Sequence, residues 1–152
     1  MALRATTPVK SEKHKSVEIG HTRVAILDFG SQYTHLIARR IRELGVFSEV
    51  LRYDTPAAEI AVNTGAIVLS GGPSSIYAED APRPDPGVFE LGIPVLGICY
   101  GMQAMAQALG GGVSPGETRE YGPMGFAPNT VHPLFDGLEE TLQVWMSHGD
   151  EV

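Results

Sequence analysis

Short, unbroken apolar runs constrain this chain more than any other feature. Val24-Ala-Ile-Leu-Asp-Phe29 ends at Gly30-Ser31, Ala66-Ile-Val-Leu-Ser70 ends at Gly71-Gly72, and Pro94-Val-Leu-Gly-Ile98 runs into Cys99. Runs of this length suit strands buried on both faces of a parallel sheet. Ser48–Arg52 reads as a further strand. Between the first two strands, Tyr33, Leu36, Ile37, Arg40, Ile41 and Leu44 recur at helical spacing. Gly45 stands at the stop, and Arg39, Arg40, Arg42 and Glu43 lie mostly on the wet side. Strands alternating with helices imply right-handed crossovers and a three-layer, mostly parallel, doubly wound α/β sheet.

Beyond Gly110 the pattern weakens. Gly110-Gly-Gly112, Pro115 and Gly116 break the chain, Glu117–Pro128 reads as a small hairpin excursion, and Val144–Met146 as a short strand. The sequence stops at Val152 with no closing helix, so the sheet is expected to be truncated at its C-terminal edge. Bare sheet edge and apolar surface then predict poor solubility. The length of 152 residues fits one domain. Its division is read as a disordered basic tail over 1–22 and a folded domain over 23–152.

The net charge of −7 is unevenly spread, because residues 1–23 hold five Lys and Arg against two Asp and Glu. An acidic body without a basic stripe argues against a nucleic-acid groove. No apolar run approaches the roughly 18 residues of a membrane span, and no hydrophobic leader opens the chain. The single cysteine excludes an internal disulfide and a multi-cysteine zinc site, and no metal site is expected. A cytoplasmic setting fits these readings.

The richest stretch is Val95-Leu-Gly-Ile-Cys-Tyr-Gly-Met-Gln-Ala-Met105. A buried strand meets Gly97-x-Cys99-x-Gly101, and a helix follows, with Met102, Met105, Ala106 and Leu109 as its apolar stripe. This is the nucleophile-elbow arrangement with Cys in place of Ser. Glycines two before and two after allow a sharp turn that lifts the nucleophile to the carboxyl edge of the sheet. Amide protons and the helix dipole at such a position stabilise negative charge on sulfur. The bland reading of Cys99 is a small buried hydrophobe. Gln103, one turn on, is a candidate to hold a polar substrate through its carboxamide.

Leu69-Ser-Gly-Gly-Pro-Ser74 also follows a buried strand. It admits an ordinary tight turn or a phosphate loop, but it lacks the Gly-Lys-Ser/Thr of the latter. It is similar to the Ser-Gly-Gly-x-Asp-Ser loop of ATP pyrophosphatases without the Asp. A third reading is an oxyanion hole, with the Gly72 and Tyr100 N–H groups converging from neighbouring strand ends. In Trp145-Met-Ser-His-Gly-Asp150, His148 is a candidate base, a structural or substrate-side residue, or part of a turn. His14 and His21 fall in the tail, His35 on the first helix, and His132 before Pro133.

Together, Val24-Ala-Ile-Leu-Asp-Phe-Gly-Ser-Gln-Tyr33, Leu69-Ser-Gly-Gly-Pro73, Gly97-Ile-Cys-Tyr-Gly-Met-Gln103 and Trp145-Met-Ser-His-Gly-Asp150 resemble the N-terminal class I glutamine amidotransferase domain of the GMP synthetase family. The resemblance implies that Cys99 attacks the side-chain amide of glutamine and forms a γ-glutamyl thioester. It implies that Gly72 and Tyr100 hold the oxyanion, and that Gly71, Gln103, Ser147, His148, Gly149 and Asp150 bind substrate. Ammonia would pass to an ATP-pyrophosphatase synthetase module that aminates adenylated XMP. No cofactor is implied in this domain; ATP and Mg belong to that module. The family's late His-Pro-Glu is missing from these residues: His132-Pro133-Leu134 has Leu where the carboxylate belongs. Little or no glutaminase activity is therefore expected of this chain by itself. Two rivals are a non-catalytic amidotransferase-like binding or regulatory module and a cysteine hydrolase using His148.

Overall fold

Why the apolar runs become strands is visible in how their side chains divide between two cores. The computed structural model describes residues 22–128 and 132–152, with the side chains of 115–121 and 146–151 left aside. Strands β1 (Arg23–Asp28), β2 (Ser48–Arg52), β3 (Thr64–Leu69) and β4 (Val95–Gly97) form one sheet in the order β2-β1-β3-β4. All three pairings are parallel. Successive side chains alternate faces. Ala25, Leu27, Ile67 and Leu69 join one core, whereas Val24, Ile26 and Val68 join the other.

Helix α1 (Thr34–Glu43) covers the second core with Ala38, Ile37 and Ile41. On the opposite face lie α2 (Ala57–Ile60), a 3-10 turn over Pro86–Glu90, and α3 (Tyr100–Ala108); they contribute Ile60, Val88, Tyr100 and Ala104. The three-layer, parallel α/β reading therefore holds. The expected tail over 1–22 lies outside the described residues, Thr22 excepted. No helix among the described residues is long and apolar enough to cross a membrane.

Three expectations are corrected. Tyr33, Leu36 and Leu44 do not join the buried face of α1; they are exposed, and Thr34 and Ala38 are buried. Thr34 belongs inside because its hydroxyl donates to Asp28 Oδ1 at 2.8 Å. On α3, Met102 and Leu109 are 39% and 65% exposed, and the buried residues are Tyr100, Gly101, Gln103 and Ala104. Small residues let this helix lie directly against β3. Finally, Glu117–Pro128 does not close a hairpin on itself. β5 (Ser114–Phe126) pairs antiparallel with β6 (Leu142–Glu151), from Phe126↔Leu142 to Ser114↔Glu151. Pro115 and Pro123 are tolerated because each strand of a two-stranded ribbon is an edge.

Asp85 ties two of the short elements together. Its Oδ2 accepts the Ala57 N–H at the start of α2 (2.8 Å), and its Oδ1 accepts the Gly87 N–H (2.9 Å). These amide donors, Ala57 first, hold its carboxyl below the usual carboxylate range. A lowered native value means stability that is present above the unfolded carboxylate pKa and lost as pH falls through the native one. Asp85→Ala is expected to lower the melting temperature at pH 7 and to weaken its fall on acidification. Thermal melts between pH 3 and 7 check this; parallel curves for the two proteins would contradict it.

Candidate active site

Strand order positions the site. The chain leaves β1 toward β2 on one side and returns to β3 on the other, so the switch point lies between β1 and β3. In open α/β sheets, ligands bind beyond the carboxyl ends of the strands at such a point. A cleft of about 410 Å³ opens there, lined by Gly30–Tyr33 after β1, Gly71–Pro73 after β3, and Cys99 after β4.

Cys99 occupies the turn itself. Its backbone has φ +49° and ψ −115°, a region that L residues rarely adopt. Its carbonyl accepts the N–H groups of Met102 (2.9 Å) and Gln103 (3.1 Å), so α3 starts from it. The side chain is exposed, against the buried-hydrophobe reading. The flanking glycines serve close approach. A Cβ on Gly97 would stand 2.6 Å from Met102 Cα, and one on Gly101 2.3 Å from the Leu69 carbonyl oxygen.

The loop after β3 lies against the thiol: a Cβ at Gly71 would be 3.5 Å from Cys99 Cβ and 3.7 Å from Ser31 Oγ. Gly72 packs on β1's end, where a Cβ would meet the Phe29 carbonyl oxygen at 2.4 Å. The Gly72 and Tyr100 N–H groups make no hydrogen bond to a described residue. Tyr100 is buried, with its hydroxyl donating to the Pro82 carbonyl at 2.7 Å and its ring 5.5 Å from that of Phe29. Its side chain is thus an anchor for the start of α3, and only its backbone is a candidate donor. Gln103 is 8% exposed, lies on the buried side of α3 and is not in the described cleft wall.

The wall formed by Gly30–Tyr33 has no counterpart among the residues singled out for a role in the sequence. Its signal is the one that marked Gly71, a glycine directly after a buried strand. Gly30 has φ +93°, and Asp28 Oδ1 accepts both the Gly30 N–H (2.9 Å) and the Thr34 hydroxyl (2.8 Å), which fixes the loop.

Ser147, His148, Gly149 and Asp150 lie on β6, with His148 opposite Glu120 and Ser147 opposite Tyr121. The turn reading of His-Gly-Asp gives way to continuous strand; the side chains there lie outside the described residues. His132 caps the 3-10 turn Pro133–Phe135, its Nδ1 accepting the Leu134 N–H at 3.1 Å. Among the described residues, no group of three or more His, Cys, Asp or Glu is placed to hold a metal ion.

The family model described as glutamine amidotransferase class-I matches residues 25–152. The glutamine-hydrolyzing GMP synthase of Gloeobacter violaceus is 52% identical over 150 residues, covering 97% of this chain and 27% of that protein. The GMP synthase of Carboxydothermus hydrogenoformans is 57% identical over 132 residues, covering 86% of this chain and 26% of that protein. The chain thus spans about a quarter of the length of the curated relatives it matches. A crystal structure of a glutamine amidotransferase from Thermotoga maritima superposes with a TM-score of 0.64 at 25% identity, covering 86% of this chain and 62% of that one.

Proposed function

From a chain that belongs to the class-I glutamine amidotransferase family, we propose a glutamine-hydrolysing, ammonia-supplying role within a GMP synthase. One observation carries the reading. The sole thiol is held exposed in a strained turn, at the mouth of a cleft whose facing loop carries the Gly72 N–H, unbonded among the described residues.

In this mechanism the Cys99 sulfur adds to the side-chain carbonyl carbon of glutamine. The carbonyl oxygen becomes an oxyanion, which the Gly72 and Tyr100 N–H groups stabilise. Removing one such donor typically costs about 3–4 kcal/mol of barrier. Collapse breaks the carbon–nitrogen bond, the leaving nitrogen takes up a proton from water and departs as ammonia, and the γ-glutamyl group stays on sulfur. Water then attacks the thioester and releases glutamate. Gly71, Gln103 and residues 147–150 are assigned to holding glutamine, in keeping with the family resemblance. The released ammonia serves a synthetase module using ATP, Mg and XMP, and the setting is cytoplasmic.

The 152 residues contain no His-Pro-Glu to protonate the departing ammonia. Loss of general acid–base help costs about 10²- to 10⁴-fold. Capture without turnover is therefore the expected behaviour. A glutamine-like chloroketone should modify the purified chain once, at Cys99, and L-glutamine should protect it, while glutamate release stays at least 100-fold below that of a complete synthase. An unreactive thiol overturns the live-nucleophile reading in favour of a non-catalytic module. Brisk glutamate release overturns the expectation of capture without turnover, and its abolition by His148→Ala would then favour the hydrolase.

A further inference from the structure

Beside the cleft sits a hydroxyl that the mechanism above does not use. Ser70 is fully buried at the end of β3. Its Oγ accepts the Phe29 N–H at 3.0 Å and donates to the Gly71 carbonyl at 2.9 Å, both within the buried interior. The first bond joins it to the end of β1. The second acts on the peptide unit that matters most, because the Gly71 carbonyl and the Gly72 N–H belong to one and the same peptide.

That peptide is trans. In a trans peptide the C=O and N–H vectors point to opposite sides of the chain. Holding the carbonyl inward on Ser70 therefore turns the Gly72 N–H outward, away from the buried hydroxyl, on a segment that lines the cleft beside Cys99. Two adjacent glycines carry no side chain to fix this plane sterically, and such backbone rotates readily. Gly72 also packs too tightly on the Phe29 carbonyl to accept a Cβ that would stiffen it. Among the described residues, the Ser70 hydroxyl is thus the side chain that hydrogen-bonds this peptide and sets its plane.

We infer that Ser70 is a positioning residue that presets the oxyanion donor, acting through the Gly71–Gly72 peptide without touching substrate. This rests on the reading of the Gly72 N–H as an oxyanion donor. Preorganised donors act because they are aimed before charge develops. Without the hydroxyl, the peptide is free to turn its carbonyl toward the cleft, where it would repel the oxyanion.

The test compares two reagents on the full 152-residue chain. Iodoacetamide alkylates the thiol directly, forming a sulfur–carbon bond as iodide leaves. With a glutamine-like chloroketone the sulfur first adds to the carbonyl carbon to give a tetrahedral oxyanion, then shifts to the neighbouring carbon as chloride leaves, the sulfur–carbonyl bond breaking and the carbonyl re-forming. Ser70→Ala is expected to slow the chloroketone about 10- to 100-fold, less than the roughly 10²- to 10³-fold for outright loss of one oxyanion donor because the donor is misaimed and not removed, and to leave the iodoacetamide rate within about 3-fold. If both rates are unchanged, or both fall together as in a general loosening, the inference is overturned and the proposed function stands. If the unmutated chain is not labelled by the chloroketone, the proposed function fails and the inference with it. A readout on the unmutated chain needs no variant to fold. The Gly72 amide proton should exchange rapidly and become protected on chloroketone labelling, and a Gly72 amide already protected in the free chain would also overturn the inference.

Discussion

Cys99→Gly should abolish covalent capture of a glutamine-like chloroketone completely and at the same time raise the melting temperature. Loss of capture follows from removing the only thiol in the chain. The gain in stability follows from the backbone, since φ +49° with ψ −115° is a conformation that glycine adopts freely and cysteine does not. Strain of this kind costs of order 1–3 kcal/mol per residue. Glycine returns about 0.5–1 kcal/mol of that through the greater freedom of the unfolded chain. The thiol is exposed, so little packing is lost. The balance is about 1 kcal/mol in favour of the variant, or roughly 2–4 °C at this chain length. Differential scanning calorimetry beside mass spectrometry of the labelled chain checks both halves. A lower melting temperature would mean that the turn at 99 stores no strain.

Gly101→Ala is the larger structural lesion. Its Cβ would stand 2.3, 2.6 and 2.7 Å from the oxygen, carbonyl carbon and Cβ of Leu69. None of these is the end of a flexible side chain, so relief requires α3 to move off β3. Overpacking of this kind costs about 1–3 kcal/mol and occasionally more, which predicts a melting temperature lower by roughly 2–12 °C. Because the Gly101 N–H is bonded to the Ile98 carbonyl at 2.9 Å, that movement carries the turn at Cys99 with it. A displacement near 1 Å at a reacting group costs about 10²-fold, and labelling should slow accordingly. Gly112→Ala is the control: nothing lies within 4 Å of its Cβ, and both properties should stay near those of the unmutated chain. Equal behaviour of the two variants would show that the contact between α3 and β3 is not tight.

The sheet was readable from the sequence because parallel strands must be apolar on both faces, and that leaves unbroken runs such as Val24–Leu27 and Ile67–Leu69. The turn at Cys99 was readable because Gly97 and Gly101 bracket it at matching distances. The inward face of α3 was not. Hydrophobic spacing marks greasy side chains, yet where a helix lies on a strand at backbone distance the contact belongs to Gly101 and Ala104, and Met102 and Leu109 turn outward. The wall formed by Gly30–Tyr33 was hidden for a different reason: its place in the cleft depends on β1 lying beside β3, a fact about neighbours in space. The ribbon of β5 and β6 was blurred by glycines and prolines that the same segment tolerates because neither strand is enclosed. Ser70 read as the polar end of a strand, and only the geometry of the following peptide gives its hydroxyl a task.

The cleft is assembled from three loops that are far apart along the chain; Phe29 and Ser70, which bond across two of them, are 41 positions apart. Contacts at such separation form slowly, since the entropy of closing long loops must be overcome before they return any stabilisation. No single loop makes the pocket, so selectivity of the thiol for a glutamine-like reagent is expected only after β1, β3 and β4 have found their register. Under the proposed function the solitary sulfur would then serve as a built-in clock during refolding, with the expected change from indiscriminate to selective chemistry dating the moment at which the last strand docks.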